Sequence, residues 1–243
     1  MNCLLLGNGN WGKKLAKNLG KVATIKKKIN SSEDYKKIKL NNIDWTFIST
    51  PNNLHYQHAK YFLENKINVF CEKPLALKYK EAKELVKLSI KNSVNLYIDD
   101  IESYKKKNLH ISKKKNLIFR SKSNNYNFQE VLNSLFYHDF YLLKKNISLK
   151  SLKINILEDS KLKKKFLISS NKKDFLFEYN CHIAKKHFIN KINYISKKNY
   201  IKTMISCVLN EKFDLKENHK KALFCCLLID MILKKYKKNK NAY

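Results

Sequence analysis

Short apolar segments alternate with amphipathic segments through the first hundred residues of the chain. The apolar segments predict strands at Asn2–Leu6, Lys21–Ile25, Asp44–Ser49, Ile67–Cys71 and Val94–Ile98. Apolar residues at helical spacing predict helices between them, at Lys13–Leu19, Leu54–Asn65 and Glu81–Lys91. Strands that alternate with helices in this way are typical of a doubly wound parallel sheet, so residues 1–98 are expected to form an α/β domain.

The pattern changes after residue 98. Further strands are predicted at Leu117–Ser121, Leu152–Leu157, Lys165–Ser169 and Phe175–Tyr179, and the last three are consistent with an antiparallel sheet. A long apolar helix at Asn218–Lys235 is expected to pack on one of the two domains. Residues 99–243 are therefore expected to form a second domain, of the α+β type with a mostly antiparallel sheet.

All four glycines of the chain lie within its first twenty residues, at positions 7, 9, 12 and 20. The first three form the motif G-x-G-x-x-G between a predicted strand and a predicted helix, which is the context of a Rossmann dinucleotide-binding turn. In that turn the first glycine permits a tight bend, the second lets the backbone approach a pyrophosphate, and the third lets the helix pack closely on the strand. The pyrophosphate would lie on the N–H groups that open the helix. The predicted cofactor-binding residues of this turn are Gly7, Asn8, Gly9, Asn10, Trp11 and Gly12.

The end of the second predicted strand bears on the choice between NAD and NADP. In an NAD site an acidic residue usually follows this strand and binds the ribose hydroxyls. Here the predicted strand runs into Lys26, Lys27 and Lys28 instead. Cations at this point would suit the 2′-phosphate of NADP, which makes Lys27 a candidate cofactor-binding residue, but a solvated lysine run explains the pattern equally well. The sequence leaves both cofactors open.

The loops after the next two predicted strands carry more specific motifs. Thr50-Pro51-Asn52 with His55 follows one strand, and Glu72-Lys73-Pro74-Leu75-Ala76 follows the other. Together with the glycine motif they resemble the Gfo/Idh/MocA oxidoreductases, a family that includes glucose–fructose oxidoreductase and inositol dehydrogenase, over roughly residues 1–100. The resemblance implies that Thr50, Pro51, Asn52 and His55 belong to the cofactor site and that Glu72 helps to hold the nicotinamide ribose. It also implies that Lys73 contacts both the cofactor and the reacting oxygen of a sugar-like substrate.

The resemblance extends more thinly into the second half of the chain. The segment Val131–Asp139 is similar to the family's helix in which an aspartate stands four residues before a catalytic histidine. The similarity implies that His138 exchanges the hydroxyl proton of the substrate, as general base or acid. Ser134 stands where the aspartate is usual, and it carries no charge to stabilise an imidazolium on the same helix face. The aromatic neighbours of His138 leave a core role as the alternative.

Departures from the family pattern leave a second interpretation open. The chain is shorter than typical members, so residues 99–243 would form a reduced version of the family's substrate and oligomerisation domain. Combined with Ser134, this permits a degenerate protein that binds a nucleotide without catalysis.

The formal charge of +31 raises a third alternative, a protein that binds polyanions. Arg120 is the only arginine among the 51 basic residues. Because arginine makes most of the specific contacts to guanine, recognition of a specific nucleic acid is not predicted. The lysines are spread along the whole chain, which favours a solvated surface over a nucleic-acid site.

Cysteine spacing and hydropathy bear on the compartment. The six cysteines form no C-x-x-C pair, and a reduced, cytoplasmic protein is expected. No apolar run reaches the roughly 18 residues of a membrane span, and the N-terminus enters a strand without a signal peptide, so no membrane association is expected. His55 and His58 lack a third ligand at suitable spacing, so no metal site is expected.

The sequence thus predicts a two-domain oxidoreductase of sugar metabolism that uses NAD or NADP. It would transfer hydride between the nicotinamide and a hydroxyl or keto carbon of a sugar, a cyclitol or a nucleotide-linked sugar. The cationic surface favours ligands that carry a diphosphate. Many family members form homo-oligomers through the sheet of the second domain, and the shortened sheet leaves this open here.

Overall fold

The computed structural model describes residues 1–30, 33–105, 109–181, 184–195 and 198–241. The chain forms two compact units. The first comprises Met1–Lys105 and Asn199–Cys226, and the second comprises Lys106–Lys198 and Leu227–Tyr243. This division differs from the predicted one, in which all of residues 99–243 form the second domain, because a helical segment near the C-terminus belongs to the first unit.

The first unit contains a five-stranded parallel sheet in the order β2-β1-β3-β4-β5. Its strands are β1 (Asn2–Leu6), β2 (Thr24–Ile29), β3 (Trp45–Ile48), β4 (Asn68–Cys71) and β5 (Leu96–Ile98). Helix α1 (Asn10–Leu19) connects β1 to β2, α2 (His55–Glu64) connects β3 to β4, and α3 (Tyr79–Lys91) connects β4 to β5. The predicted Rossmann-type parallel sheet is confirmed. Because the strands are parallel, their carboxyl ends meet at one edge, where ligands bind in such sheets.

The bounds of β2 correct the sequence prediction. The predicted strand ended at Ile25, whereas β2 continues to Ile29, so the three lysines at positions 26 to 28 lie within the strand. β2 is the edge strand of the sheet, and these lysine side chains are exposed. Lysines are well tolerated on an edge strand because its outer side faces solvent, which explains why a polar segment extends the sheet here.

The second unit contains a six-stranded sheet in the order β11-β10-β6-β9-β8-β7. Its strands are β6 (Lys115–Ser121), β7 (Lys153–Asp159), β8 (Lys163–Ser170), β9 (Lys173–Asn180), β10 (Lys186–Ile189) and β11 (Ile192–Asn193). β6 pairs in parallel with β9, and the other pairs are antiparallel, so the predicted mostly antiparallel α+β architecture is confirmed.

A helical segment packs on this second sheet. It consists of α4 (Phe128–Val131), a π-helical turn (Leu132–Phe136) and α5 (Tyr137–Leu143). Side chains of β8 and β9 alternate between buried and half-buried, as expected for strands with one face on the core. The Phe136 ring lies 5.5 Å from Phe166 of β8 and 5.1 Å from Phe177 of β9, between ring centroids. Edge-to-face aromatic packing therefore holds the segment on the sheet.

Two helices complete the chain, α6 (Ile201–Leu209) and α7 (Leu215–Lys240). α6 belongs to the first unit, where Met204, Ile205 and Val208 are buried in one cluster with Leu5 and Phe47 of the sheet. α7 is shared, since its residues up to Cys226 belong to the first unit and those from Leu227 to the second. In the described part of the chain, no helix combines the length and apolarity needed to cross a bilayer.

The first residues of α7 protect the free side of β5. Asn218 accepts a hydrogen bond from the Ile98 N–H at 2.9 Å and donates one to the Ile98 carbonyl at 2.8 Å. His219 Nε2 lies 2.6 Å from the Leu96 carbonyl. The side chains of α7 thus bind the edge-strand backbone groups that a further strand would otherwise pair.

Candidate functional site

Gly7 and Gly12 are required by the packing of the protein's own backbone. Gly7 has a φ of +98°, and its N–H donates to the Ile29 carbonyl at 3.0 Å. A Cβ at Gly7 would lie 2.5 Å from the Ser49 carbonyl oxygen, and a Cβ at Gly12 would lie 2.1 Å from the Gly7 carbonyl oxygen. Neither contact can be relieved by a flexible side chain, since both involve backbone atoms. These two glycines bring α1 and the loop after β3 against the end of β1.

Gly9 differs, because no described residue other than its two chain neighbours has an atom within 4 Å of where its Cβ would be. It is the N-cap of α1, with extended backbone (φ −68°, ψ −176°) and no capping side chain. The first turn of α1 contains no acidic residue, so no carboxylate within that turn competes for its N–H groups. An open glycine at an uncapped helix N-terminus fits a pyrophosphate group. The adjacent Asn8 and Asn10 are exposed and Trp11 is half-buried.

The loop after β3 is hydrogen-bonded to the end of β1 and to the glycine turn. The Ser49 hydroxyl lies 3.0 Å from the Leu6 carbonyl oxygen and 3.2 Å from that of Gly7. Pro51 and Asn52 follow at the start of a short 3-10 helix and are exposed and half-buried, respectively. The predicted residues Thr50, Pro51 and Asn52 therefore lie on the same sheet edge as the glycine turn.

His55 joins this loop to the loop after β4. The side chain is completely buried, with Nδ1 2.7 Å from the Pro74 carbonyl oxygen and Nε2 2.8 Å from the Thr50 carbonyl oxygen. Burial lowers the pKa of His55, and the two carbonyl acceptors oppose that shift because they favour the doubly protonated ring. Both ring nitrogens are thus occupied by the backbone. His55 thus links the loop after β3 to the loop after β4.

His58, one turn further along α2, also contacts the loop after β3. Its Nδ1 lies 3.0 Å from the Thr50 hydroxyl. Burial, with a smaller effect of neighbouring His55, lowers the pKa of His58 to about 4, so its ring is neutral at physiological pH. The two histidines therefore hold the loops at this edge in place.

The loop after β4 carries the Glu-Lys-Pro motif. The Glu72 N–H donates to the Ile48 carbonyl of β3 at 2.9 Å, which extends the sheet pairing by one residue. Glu72 is buried, whereas Lys73 is half-buried, and the Lys73–Pro74 peptide bond is cis. The positive charge of Lys73 lowers the pKa of Glu72 and of the neighbouring Asp99, opposing the larger effect of their burial. Lys73 is thus a cation placed beside buried carboxyl groups at the ligand-binding edge.

Asp99 is a residue of this edge that the sequence analysis missed. It follows β5 directly, is 3 % exposed, and donates its N–H to the Cys71 carbonyl at 2.8 Å. It follows Ile98, the register partner of Cys71, so Asp99 and Glu72 are neighbours at the sheet edge. Two acidic residues, Asp99 and Asp100, immediately after the last predicted strand of a parallel sheet were the signal that could have found it.

Lys27 does not join the cofactor residues at the sheet edge. It lies within β2 opposite Leu4, and its Nζ is 2.9 Å from Glu33 Oε2 in an exposed ion pair. The expectation that the lysines follow the end of the strand is wrong, because the strand ends at Ile29. Binding of a 2′-phosphate by Lys27 stays a prediction, and the position of Lys27 within the strand does not support it.

His138 and Ser134 lie in the second unit. Ser134 belongs to the π-helical turn, in which the Tyr137 N–H bonds to the Leu132 carbonyl five residues back. The turn between Ser134 and His138 is therefore wider than the α-helical turn that was expected, and the α-helical rule for residues four apart does not apply to this pair. His138 is half-buried on α5, so its ring is not enclosed in the core.

Asp139, next to His138, is the centre of a buried ionic cluster. Arg120 donates to its two carboxylate oxygens, from Nε at 2.6 Å and from Nη2 at 3.1 Å, and His187 Nε2 lies 2.7 Å from Oδ1. Burial raises the pKa of Asp139, but Arg120 and His187 more than offset it, and the pKa falls below its ordinary value. His187 is buried on β10, although it directly follows two lysines in the sequence.

The parallel sheet, the glycine turn and the loops at its carboxyl edge define a Rossmann dinucleotide-binding protein. Residues 12–99 match the family model described as "Oxidoreductase family, NAD-binding Rossmann fold", which is the Gfo/Idh/MocA model. An uncharacterized oxidoreductase of Streptococcus pneumoniae is 33 % identical over 91 residues, which are 37 % of this chain and 23 % of that protein. Residues 12–99 are thus similar to the NAD-binding domain of the Gfo/Idh/MocA oxidoreductases, and the predicted resemblance is confirmed over this part of the chain.

Solved structures extend the similarity of fold to both units. The UDP-N-acetylglucosamine 3-dehydrogenase GnnA from Acidithiobacillus ferrooxidans has a TM-score of 0.75 at 12 % identity, and 96 % of each chain is covered. The WlbA (WbpB) dehydrogenase from Thermus thermophilus, in complex with NAD and UDP-GlcNAcA, has a TM-score of 0.71 at 12 % identity, with 94 % of each chain covered. At such identities these likenesses describe the fold. The matched segments span 12–23 % of the length of the curated relatives.

Proposed function

We propose that the protein is an oxidoreductase that transfers hydride between NAD or NADP and a hydroxyl or keto carbon of a sugar, a cyclitol or a nucleotide-linked sugar. The observation that supports the proposal is that three loops meet at one sheet edge. These loops are the glycine turn, the loop that begins at Ser49 and the loop that begins at Glu72. The open space at Gly9 and the half-buried Lys73 belong to loops at this same edge, and both support the proposal.

The residues at this edge fit a nicotinamide dinucleotide. The vacant space at Gly9 and the uncapped N-terminus of α1 would hold the pyrophosphate, with Asn8, Asn10 and Trp11 around it. Glu72, whose Oε1 has no hydrogen-bond partner among the described residues, would hold a hydroxyl of the nicotinamide ribose. Thr50, Pro51 and Asn52 would line the nicotinamide. When bound, the cofactor supplies the hydride acceptor or donor.

Lys73 and His138 would act on the substrate. The Lys73 ammonium would lie at the reacting oxygen, where its charge stabilises a developing alkoxide. His138 would take or return the hydroxyl proton, for which the ordinary pKa of an imidazole is suited. Lys73 belongs to the first unit and His138 to the second, and each role is tested by its own variant.

The substrate class is supported by two observations. The formal charge of +31 favours anionic ligands, which include nucleotide-linked sugars. Two proteins of the same fold are a UDP-N-acetylglucosamine 3-dehydrogenase and a dehydrogenase in complex with NAD and UDP-GlcNAcA. A sugar nucleotide is therefore the first substrate to test.

The test combines binding and turnover. Nicotinamide absorbance is followed with NAD(H) or NADP(H) and a panel of sugars, cyclitols and sugar nucleotides, and cofactor affinity is measured by calorimetry. We expect Lys73→Met to lower kcat by about 10²–10³-fold with cofactor affinity within about threefold, since a lost charge at the transition state has that effect. His138→Asn should lower kcat and flatten its pH profile.

Lys78→Met is the matched control, because Lys78 lies five residues on, is exposed and pairs with Glu81 at 3.2 Å. Its kcat should equal that of the wild type. Cofactor binding without turnover over the whole panel would favour the degenerate nucleotide-binding alternative. Failure to bind either dinucleotide would overturn the proposal.

A further inference from the structure

The buried carboxylate of Asp139 joins helix α5 to two strands of the second sheet. Arg120 of β6 and His187 of β10 are register partners, so their side chains lie on the same face of the sheet. Arg120 donates from Nε to Oδ2 at 2.6 Å and from Nη2 to Oδ1 at 3.1 Å. His187 Nε2 lies 2.7 Å from Oδ1 and must carry a hydrogen, because an ionised carboxylate only accepts. The bonds of this Asp139 cluster thus engage both oxygens and fix the plane of the carboxylate.

Helix α5 needs contacts with the sheet to keep its position. It has seven residues, about two turns, and directly follows the π-helical turn. A helix of this length is marginal by itself, so its orientation is set by what it packs on. The ring of Phe140 lies 5.1 Å from that of Phe177, between centroids, but the burial of apolar surface has no preferred direction. The Asp139 cluster, by contrast, would lose its hydrogen-bond geometry if α5 rotated about its axis.

His138 lies between two buried residues of α5. Tyr137 is 1 % exposed, and its ring lies edge-to-face to that of His138 with 6.5 Å between the centroids. Asp139, on the other side, is completely buried, whereas His138 is half-buried. Successive residues of an α-helix point about 100° apart, so an anchored Asp139 also sets the direction of the His138 Cα–Cβ bond. The direction of His138 is thus determined by the residues on both sides of it.

We propose that Asp139 is a positioning residue, which Arg120 and His187 hold so that the imidazole of His138 keeps one direction. The catalytic part rests on the proposed function, in which His138 exchanges the substrate proton, whereas the fixed direction is a property of the free protein. A displacement of about 1 Å in a reacting group can cost about 10²-fold in rate. Ser134 carries no charge with which to anchor this segment, and the Asp139 cluster provides a charged anchor next to His138 instead.

The direction of His138 is measured on the free protein by NMR spectroscopy with isotope-labelled histidine, and His138→Asn assigns its signals. We expect the three-bond couplings of a single χ1 rotamer in the wild type and averaged couplings in His187→Leu, which removes one donor from Asp139. Glutamine can donate from Nε2 in place of the imidazole, so His187→Gln should keep the wild-type couplings. Averaged couplings in the wild type, or wild-type couplings in folded His187→Leu, would overturn the proposal.

Two further variants separate positioning from a general loss of stability. Ser121→Ala is the matched control, because it breaks a bond of 2.6 Å to the Ala184 carbonyl on the same strand as Arg120 without touching Asp139. Its His138 couplings should be those of the wild type, and averaging equal to that in His187→Leu would count against the proposal. Arg120→Lys keeps the charge but loses the planar two-point contact, so it should also show averaging, and it decides the question if His187→Leu does not fold.

Turnover tests the catalytic part. His187→Leu should lower kcat by about 10–100-fold while KM and cofactor affinity change by less than about threefold, since a misdirected base weakens the transition state and not binding. His187→Gln should restore kcat to within about threefold of the wild type. A rise in KM with unchanged kcat in His187→Leu would show that the cluster acts on binding, and would overturn the proposal. If the wild type shows no turnover, the proposed function fails while the NMR couplings still decide the positioning of His138.

Discussion

Replacing Gly9 by alanine should separate cofactor binding from folding. The added methyl group meets no atom within 4 Å from the described residues beyond its two chain neighbours, and the backbone angles of Gly9 are accessible to any L-residue. Replacing glycine by alanine lowers the conformational entropy of the unfolded chain, which stabilises the fold by about 0.4–1 kcal/mol. Alanine is a poorer N-cap residue than glycine, which destabilises the fold by a similar amount. The free energy of unfolding should therefore change by less than about 0.5 kcal/mol.

The same methyl group would occupy the space in which a pyrophosphate approaches the backbone. We expect the affinity for NAD or NADP to fall at least tenfold, which corresponds to about 1.4 kcal/mol. Calorimetry measures this affinity, and urea unfolding followed by tryptophan fluorescence measures the stability. Gly12→Ala is the control for a packing glycine, because its Cβ would lie 2.1 Å from a carbonyl oxygen, and it should destabilise the fold by about 1–3 kcal/mol.

Either of two results for Gly9→Ala would contradict this account. A loss of stability equal to that of Gly12→Ala would mean that the protein itself needs the glycine. Unchanged cofactor affinity would mean that no ligand approaches this point of the backbone.

Three further predictions concern acid sensitivity, the sheet edge and cofactor choice. The pKa of His58 is 6.5 in the unfolded chain and about 4 in the fold, so the unfolded state binds more protons between these values. Stability should therefore fall as the pH drops from 6.5 to 4, and His58→Gln should show a smaller fall in urea titrations at several pH values. Asn218→Ala leaves the Ile98 N–H and carbonyl without partners and should lower the unfolding free energy by roughly 2–4 kcal/mol in the same assay. Lys27→Met should change NADP affinity by less than about threefold by calorimetry, since Glu33 already neutralises this lysine; a tenfold loss would assign Lys27 to the 2′-phosphate.

The loops of the first sheet could be predicted because glycine and proline are rare in this chain. The glycine turn and the loops with Pro51 and Pro74 stand directly after apolar strands, and local sequence is sufficient to place them at one edge. The bounds of β2 could not be predicted in this way. An edge strand is stabilised by its neighbour's backbone, so it includes lysines that interrupt the apolar pattern.

Contacts between residues that are distant in the sequence explain the other features that could not be predicted. Asp99 lies next to Glu72 because β5 pairs with β4, and the acidic residues after β5 mark the position without revealing this neighbour. His187 is buried because β10 pairs with β6, which brings it to Asp139, although its own segment is rich in lysine. The place of α6 also depends on a distant partner, since its apolar residues pack on the first unit. Local periodicity predicts a helix or strand but does not specify which surface it covers.

The return of residues 199–226 to the first unit has a consequence for synthesis on the ribosome. The sheet of that unit is translated early, but α6, which covers Leu5 and Phe47, follows the segment Lys106–Lys198 of the second unit. At roughly 5–20 residues per second, the delay is of the order of 5–20 s. During that time one apolar side of the nascent sheet lacks its covering helix, so the first unit stays incomplete while most of the second unit is synthesised.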